Sequence, residues 1–266
     1  MKVVVVPDRL KGTSTVHVDR LYRYPVKGLT AEALETVEVE AGQALPWDRA
    51  FALAQGDSGF DPAAPVFMHK SNFMCLLKNA RIAKLRAAFD PHDKMLTIRA
   101  PDGSGVVDTP LTEAGRAHIA TFLIEYLGEE ARGAPIFHHV PGHVFGDQRA
   151  PVVSLLNLTS LHAFERAIGQ TRAPIRFRAN IYFSGDSPWS EFDWVGQLLE
   201  IGTVTLRVVK RTNRCNATQV NPETADRDAD PVRELMATYG HPDLGVHAEV
   251  VEGGRITRGD PITLLA

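Results

Sequence analysis

The chain has 266 residues, 44% of them hydrophobic, and its 29 Lys and Arg against 32 Asp and Glu give a formal net charge of -3. This length accommodates one large domain or two ordinary ones, with enough apolar residues for a core in either case. The slightly acidic balance excludes a general nucleic-acid binder, which needs a clear excess of basic residues, so any anion site must be local.

Cysteine content and apolar runs indicate the compartment. Two cysteines, Cys75 and Cys215, are too few for a disulfide framework or for a typical Cys-ligated iron–sulfur cluster. The opening MKVVVVPDRLKG is too short in apolar residues for a signal peptide, and no later run approaches the roughly 20 residues that span a bilayer. We therefore expect a soluble protein of the reducing cytoplasm.

Short strand patterns dominate the first hundred residues. Branched or aromatic residues alternate with polar ones in VHVDRLYRYPV, LETVEVEA and WDRAFALA, with Gly or Pro between these segments. Farther on, Leu85, Ala87 and Phe89 share one face, DPHDK supplies a turn, and Leu96 and Ile98 alternate on the way back. This pattern predicts a hairpin, although NARIAKLRAAF can also begin as a helix.

Three helices follow from capping and periodicity. Thr112 caps the first, which carries apolar residues at helical spacing and ends at Gly128. The second covers SLHAFERAIG, and the third begins at Asp230-Pro231 and ends at Gly240. The remaining segments, TVTLRVVKRT, VHAEVVEG and DPITLL, again read as strands.

The order of these elements predicts a β-rich α+β fold with a barrel-like architecture and a few short helices. No internal repeat is present. Gly, Pro and charged residues cluster in APDGSGVVDTP and GEEARGAP, so the join between two halves falls between about residues 100 and 135. We divide the chain into an N-terminal module, 1–120, and a second domain, 121–266.

Cys215 directly follows a stretch, TLRVVKRTNR, that contains four basic residues and no acid. A thiolate is the form that binds metals and attacks electrophiles, and neighbouring cations such as Arg211 and Arg214 would favour it. Alternatively, the basic side chains face water, alternating with Leu206 and Val208, while Cys215 packs as a small apolar group. Spacing alone leaves both readings open.

Three further segments carry groups suited to an anion. Phosphate or carboxylate can be held by backbone N–H groups beside a lysine, or by paired arginines with an amide. The structural alternatives for these segments are an ordinary turn, an ion pair and the rim of a strand. The residues are Lys27 and Gly28 of YPVKG, Arg49 of WDRAFAL, and Arg176, Arg178 and Asn180 of RFRANIYFSG.

The segment FHHVPGHVFGD brings together His138, His139, His143 and Asp147. A metal site is one reading, but the spacing lacks the helix of the H-E-x-x-H zincins, and titration or packing in a turn is the alternative. The chain also lacks the P-loop, G-x-G-x-x-G, G-x-S-x-G and paired C-x-x-C motifs. Their absence argues against nucleoside-triphosphate, Rossmann and α/β-hydrolase chemistry.

Taken together, the segments resemble the MOSC family, the molybdenum-cofactor sulfurase C-terminal domains. The part from VDRLYRYPVKG through LPWDRAFAL resembles the β-barrel module that precedes MOSC in many members. PGHVFGDQRAPVVSLLNLTSLHAFE, RFRANIYFSG, RTNRCNATQVNPET and RGDPITLL resemble successive stretches of the MOSC domain itself. The Arg-Cys pair followed by x-x-T-x-V-x-P-x-T is the most specific piece, and the likeness covers nearly the whole chain.

The resemblance implies a site. In the oxidoreductase branch, which includes the mitochondrial amidoxime-reducing component, the cysteine that matches Cys215 binds molybdenum, and nearby basic groups hold the pterin and its phosphate. By position, Asp260 is expected to hold a metal-bound water. The cofactor cradle expected by position consists of Lys27, Gly28, Arg49, Asn157, Arg178, Asn180 and Arg214.

Two positions depart from that branch. Gly28 stands where serine is usual and so removes a hydroxyl donor, and Ala179 replaces a proline that would stiffen the approach of Asn180. Neither change removes a charge. Both bear on affinity or cofactor orientation rather than on the identity of the cofactor.

The implied function is a molybdenum-cofactor (Mo-molybdopterin) oxidoreductase that reduces N-hydroxylated or N-oxide-like substrates, with His138, His139 or His143 as possible proton relays. Electrons would come from a separate redox protein such as a ferredoxin, a flavodoxin or a reductase. The alternative is a carrier of sulfur, as a Cys215 persulfide, or of the cofactor. A pyridoxal-phosphate role, sometimes attached to this domain, has no Schiff-base lysine pattern to support it.

Overall fold

The computed structural model describes residues 16–185 and 187–265, so the valine-rich opening lies outside the described residues. Within those ranges the chain is mostly β, with three α-helices and several one-turn 3-10 helices, which confirms the predicted β-rich class. The elements are β1 His17–Arg23, β2 Glu32–Leu34, β3 Thr36–Val39, β4 Phe51–Ala54, β5 Arg86–Asp90, β6 Met95–Arg99, β7 Gly105–Asp108, α1 Glu113–Leu127, β8 Ile136–His139, β9 Val153–Asn157, α2 Leu158–Ile168, β10 Ile181–Ser184, β11 Leu198–Ile201, β12 Val204–Asn213, α3 Pro231–Tyr239, β13 Asp243–Glu252, β14 Gly254–Thr257 and β15 Ile262–Leu265.

The largest sheet has eight strands in the order β15-β11-β12-β13-β9-β10-β1-β2. All neighbours are antiparallel except β9 and β10, which run parallel because α2 connects them. The sheet curls until β1 meets the start of β15, where Ile262 N donates to Val16 O and Val18 N to Asp260 O, both at 2.9 Å. This closure gives the sheet the form of a barrel around an apolar interior.

A second apolar core lies among shorter elements. The hairpin β5–β6 is extended by β7, β4 pairs with β8, and α1 packs against β7 and β8. Phe51, Phe89 and Phe137 meet in this core, with ring centroids 5.1 and 6.2 Å from Phe51. Since β1 and β2 of the N-terminal segment belong to the large sheet, the two parts interlock, and the division at residues 120 and 121 stays a prediction.

The three predicted helices are confirmed. Thr112 accepts a hydrogen bond from Gly115 N at the start of α1, and Gly128 ends that helix. Asp230 caps α3, and Gly240 ends it in the left-handed region. The helix α2 begins two residues before SLHAFERAIG, because Asn157 is its N-cap.

The predicted hairpin is also confirmed, and a 3-10 helix, Ala80–Lys84, precedes it. The strand expected over WDRAFALA is shorter than predicted. It begins only at Phe51, because Trp47 and Arg49 have φ values of 65° and 50°, which no strand tolerates. Within the described ranges, no helix is long and apolar enough to cross a membrane.

Candidate functional site

A cavity of about 440 Å³ opens between the two parts of the fold. Its size falls within the range of small-molecule sites. The wall is formed by residues from segments 27–28, 48–49, 65–77, 142–154, 176–180 and 212–218, with His247 of β13. The cavity therefore depends on both halves of the chain.

The wall carries a surplus of positive charge. Among the described residues, seven Lys and Arg side chains line it against two carboxylates, those of Asp48 and Asp147. The basic residues are Lys27, Arg49, Lys70, Arg149, Arg176, Arg178 and Arg214. A protein that is acidic overall thus concentrates positive charge at one opening, as an anionic ligand requires.

Cys215 lies on this wall, partly exposed, with a lysine at its sulfur. Lys70 Nζ is 3.3 Å from Cys215 Sγ, and the same ammonium donates to Asp147 Oδ2 at 2.7 Å. The other oxygen of Asp147 accepts from Lys27 Nζ at 2.6 Å, and Lys27 also donates to Phe145 O at 2.8 Å. Two ammonium groups, a carboxylate and a thiol therefore form one continuous chain.

Opposing effects set the charges of this chain. Burial disfavours the Lys70 ammonium, but Asp147 and the Cys215 thiol group outweigh it and raise the pKa of Lys70 to about 12. Burial also opposes ionisation of Asp147, yet the two lysines hold the pKa of its carboxyl well below the usual range. At Lys27 burial prevails and lowers the pKa of the ammonium. Lys70 is thus cationic beside the sulfur at neutral pH.

Two arginines stack on one tyrosine at the cavity wall. The guanidinium carbons of Arg49 and Arg178 lie 4.4 and 4.3 Å from the centroid of the Tyr24 ring. Both arginines have positive φ, 50° and 54°, which is uncommon outside glycine and concentrates at functional sites. The Arg49 guanidinium pairs with Asp48, whereas the Arg178 guanidinium donates only to Leu29 O, at 2.7 Å, among the described residues.

The replacement of proline by Ala179 has a structural consequence. Ala179 N donates to Tyr182 Oη at 3.1 Å, a bond that proline cannot form. A proline would also disfavour the left-handed conformation of Arg178, which precedes it. Alanine therefore permits the observed placement of Arg178.

Three other polar residues line the cavity but direct most of their hydrogen bonds to the protein. Asn180 Oδ1 accepts from Ser154 Oγ at 2.8 Å, and Arg214 NH1 donates to Phe177 O at 2.7 Å. Burial lowers the pKa of Arg214 to about 10. Arg176 pairs with Asp228 at 2.7 Å and donates to Thr218 O at 3.0 Å, which fixes the turn after the cysteine.

Gly28 lies on the wall with a φ of 88°. A Cβ there would approach Ile82 Cδ1 to 2.9 Å and Met74 O to 3.1 Å. The serine that is usual in the oxidoreductase branch therefore does not fit this backbone without a shift. The position is occupied by glycine because the surrounding chain is packed against it.

Two predicted site residues lie elsewhere. Asn157 does not line the cavity: its Oδ1 accepts from Thr159 N at 2.9 Å to cap α2, and its Nδ2 donates to Glu191 at 3.0 Å. Asp260 accepts from Thr257 N at 2.7 Å in the turn before β15, also away from the cavity wall. The structure brings together the other predicted residues, namely Lys27, Gly28, Arg49, Arg178, Asn180, Arg214 and Cys215.

The histidine segment does not assemble as a metal site, since no group of three or more His, Cys, Asp or Glu in the described ranges has metal-binding geometry. His138 and His139 lie in β8, and only His143 of the three lines the cavity. The His143 ring packs 4.7 Å from Phe145, and burial lowers the pKa of this histidine. Packing in a turn, the alternative reading of this segment, describes the environment of His143, whereas His138 and His139 belong to a strand.

Sequence patterns missed Lys70 altogether. It lies 145 positions before Cys215, in a 3-10 helix with no motif of its own, so only the fold brings it to the sulfur. The basic neighbours expected from sequence are differently placed: Arg211 stacks on Phe192, and Arg214 bonds backbone carbonyls. No local pattern identifies the ammonium beside the thiol.

Fold and site together define a two-part β protein with a cysteine thiol in a cation-rich cavity between the parts. The model of the MOSC domain matches residues 141–263, and that of the MOSC N-terminal beta barrel domain matches residues 15–131. The chain belongs to the MOSC family, which confirms the resemblance found in the sequence.

The matches to individual proteins are weaker than these two domain matches. The molybdenum cofactor sulfurase of Danio rerio is 37% identical over 60 residues, which are 23% of this chain and 7% of that protein. Among solved structures, YuaD from Bacillus subtilis is 12% identical with a TM-score of 0.43 over 93% of each chain. YiiM from Geobacillus stearothermophilus is 19% identical with a TM-score of 0.34 over 43% of this chain and 54% of that one. The family assignment rests on the two domain matches.

Proposed function

We propose that this protein is a molybdenum-cofactor oxidoreductase that reduces N-hydroxylated or N-oxide-like compounds. The observation that carries the proposal is the placement of Cys215 in a cavity where seven basic side chains face two carboxylates. Membership of a family whose name refers to the molybdenum-cofactor sulfurase supports it.

The residues present fit such a cofactor. A partly exposed cysteine supplies a soft sulfur ligand for the metal, and the surplus of cations suits an anionic phosphate tail. Cys215 would be the metal ligand, and Lys27, Arg49 and Arg178 would hold the pterin and phosphate. Asn180, Arg214 and Gly28 would support these groups through the backbone bonds and packing described above.

When bound, the cofactor supplies the two electrons that reduce the substrate. One N–O bond breaks, two electrons and two protons are consumed, and the oxygen leaves as water. Lys70 Nζ keeps a positive charge 3.3 Å from Sγ, where it would offset the negative charge of a metal-bound sulfur. Asp147 holds Lys70 in that place and balances Lys27.

Protons can enter from the open side of the cavity, where His143 is the one histidine of its segment on the wall. Burial lowers the pKa of this imidazole, so it would readily pass on a proton that it takes up. Electrons would come from a separate redox protein, such as a ferredoxin, a flavodoxin or a reductase.

A second candidate is a sulfur carrier that uses a Cys215 persulfide. The Lys70 ammonium at 3.3 Å supports this reading too, because an anionic persulfide is stabilised as a thiolate is. The name of the Danio rerio relative, a molybdenum cofactor sulfurase, points the same way, although the match covers 7% of that protein. The cation-lined volume beyond the cysteine favours cofactor binding over a bare sulfur carrier.

The test is the molybdenum and pterin content per chain after expression in cells that make the cofactor. We expect near-stoichiometric pterin in the wild type, Cys215→Ala and the matched control Cys75→Ala, with molybdenum lost or labile only in Cys215→Ala. The loaded protein should then reduce an amidoxime with a chemical reductant. A wild type with neither metal nor pterin would contradict the proposal, and sulfur released from Cys215 by cyanide would support the carrier instead.

A further inference from the structure

An exposed apolar segment edges the opening of the cavity. Val66 is 63% exposed and Phe67 is 37% exposed, and both line the cavity together with the neighbouring Pro65 and Met68. A single exposed apolar side chain needs no explanation, but several in succession at the mouth of a site offer a surface for the apolar part of a ligand.

The same edge carries a cation, Arg149, which stacks on this apolar segment. Arg149 is exposed and lines the cavity, and its guanidinium carbon lies 5.2 Å from the centroid of the Phe67 ring. Lys27 and Lys70 share Asp147, and Arg176 has Asp228, whereas no carboxylate of the described residues pairs with Arg149. Its charge is available to a ligand at the mouth.

The same segment connects the mouth to the thiol. Phe67 precedes Lys70 by three positions, and the Lys70 ammonium lies 3.3 Å from Cys215 Sγ. Because Cys215, Phe67 and Arg149 line one cavity, a small molecule with its reacting group near the sulfur can place its far end against the Phe67–Arg149 pair at the mouth. The wall offers that far end an aromatic face and a guanidinium.

We infer that Phe67 and Arg149 select the substrate, favouring N-hydroxylated compounds with an aromatic body that bears a carboxylate on its far side. This inference rests on the proposed function and adds a substrate class to it. Phe67 packs against the ring, and Arg149 pairs with the carboxylate.

The experiment compares three probes on the molybdenum-loaded full chain: benzamidoxime, 4-carboxybenzamidoxime and N-hydroxyurea, which has no ring. We expect the wild type to prefer the carboxylated probe over benzamidoxime by about threefold to fivefold in kcat/KM, as an exposed ion pair allows. Arg149→Gln should bring that ratio close to one. Phe67→Ala should lower the ratio of benzamidoxime to N-hydroxyurea by about threefold to tenfold.

The control is Val107→Ala, which truncates an exposed apolar side chain in β7, away from the cavity. It should change neither ratio. Wild-type ratios near one, or ratios that neither variant moves, would overturn the inference while reduction of the probes upholds the proposed function.

If the loaded chain reduces none of the three probes, the proposed function fails and calorimetry decides the inference separately. Titration of 4-carboxybenzamidoxime into the wild type and Arg149→Gln then measures binding alone. Binding weakened about threefold or more by the substitution would support the role of Arg149 at the mouth. Equal affinities, or no binding to the wild type, would overturn it.

Discussion

The cavity wall and the polar cluster beneath α2 use similar side chains to different ends. In the cluster, Glu191 is fully buried, and its Oε2 accepts from Asn157 Nδ2 at 3.0 Å and Ser160 Oγ at 2.8 Å. Both donors there meet a carboxylate oxygen of the protein itself, although Glu191 Oε1 has no hydrogen-bond partner among the described residues. On the cavity wall, cations outnumber carboxylates and Cys215 is partly exposed. Polar groups satisfied internally stabilise the fold, whereas a surplus at an opening requires a ligand to complete it.

The largest effect should come from breaking the buried cluster. Asn157→Ala removes the N-cap of α2 and one of the donors to Glu191, whose pKa burial already raises. We expect a loss of about 2–4 kcal/mol in the free energy of unfolding, from about 1 for the cap and 1–3 for the buried acceptor. Urea unfolding measures it.

Thr112→Ala is the control for that prediction, because it removes the N-cap of α1, which involves no buried acid. It should cost about 1 kcal/mol. The folded Asn157→Ala protein should still bind molybdenum, since the residue lies off the cavity wall. Equal losses of unfolding free energy in the two variants would show that the bond to Glu191 contributes nothing to stability. Loss of molybdenum from Asn157→Ala would show that Asn157 belongs to the cofactor cradle.

The two cysteines sharpen the comparison within the cavity itself. Cys75 also lines it but is only 5% exposed, and burial raises the pKa of its thiol, whereas Cys215 is partly exposed beside Lys70. We expect iodoacetamide at pH 7.5 to modify Cys215 on the order of 30-fold faster than Cys75, measured in Cys75→Ala and Cys215→Ala. Similar rates would mean that the Cys215 environment is as closed as that of Cys75.

Local signals predict the helices and the hairpin because each is specified within about fifteen residues. The caps Thr112 and Asp230 and the terminal Gly128 and Gly240 mark the ends of α1 and α3 in the sequence itself. The strand at Phe51 is shorter than its pattern because Arg49 adopts a turn conformation that no alternation of residues reveals. Tertiary context overrides the pattern there.

The site can be predicted only in part from the sequence, again because tertiary contacts decide the rest. The family resemblance predicts that Cys215, Lys27, Arg49 and Arg178 belong to one site, and in the structure all four line one cavity. The resemblance does not reveal that Asn157 donates to Glu191, because this hydrogen bond depends on a buried partner 34 positions away. Nor does it find Lys70, whose position beside the sulfur results from how the chain folds rather than from a motif.

A smaller, pH-dependent effect on stability should come from His247, which lines the cavity from β13. Burial, with Arg214 and Lys210 nearby, lowers the pKa of this histidine to about 3. The pKa of a histidine in the unfolded chain is about 6.5. The contribution of His247 to the free energy of unfolding is therefore complete above that pH and is lost as the pH falls toward 3.

At pH 5 the loss due to His247 should be about 2 kcal/mol relative to pH 7.5. His247→Gln cannot take up the proton in either state, so its urea unfolding should depend less on pH by that amount. The same pH slope in both proteins would show that the imidazole reaches solvent and titrates alike in the folded and unfolded states.

The smallest effect should come from Asp147, the one carboxylate between Lys27 and Lys70. Its depressed pKa gives a contribution present above the unfolded value of about 3.9 and lost as the pH falls through the lower folded value. Because the side chain is 44% exposed, solvent screening keeps the contribution below about 1 kcal/mol.

We expect the wild type to exceed Asp147→Asn in unfolding free energy at pH 6, and the gap to narrow at pH 3. The variant leaves two ammonium groups beside the thiol without their shared counter-charge. A gap that does not change with pH would mean that solvent, rather than Asp147, balances the lysines. If Asp147 does balance them, its removal leaves seven cations against one carboxylate among the described residues of the wall, and an anionic ligand should bind more tightly to the variant than to the wild type.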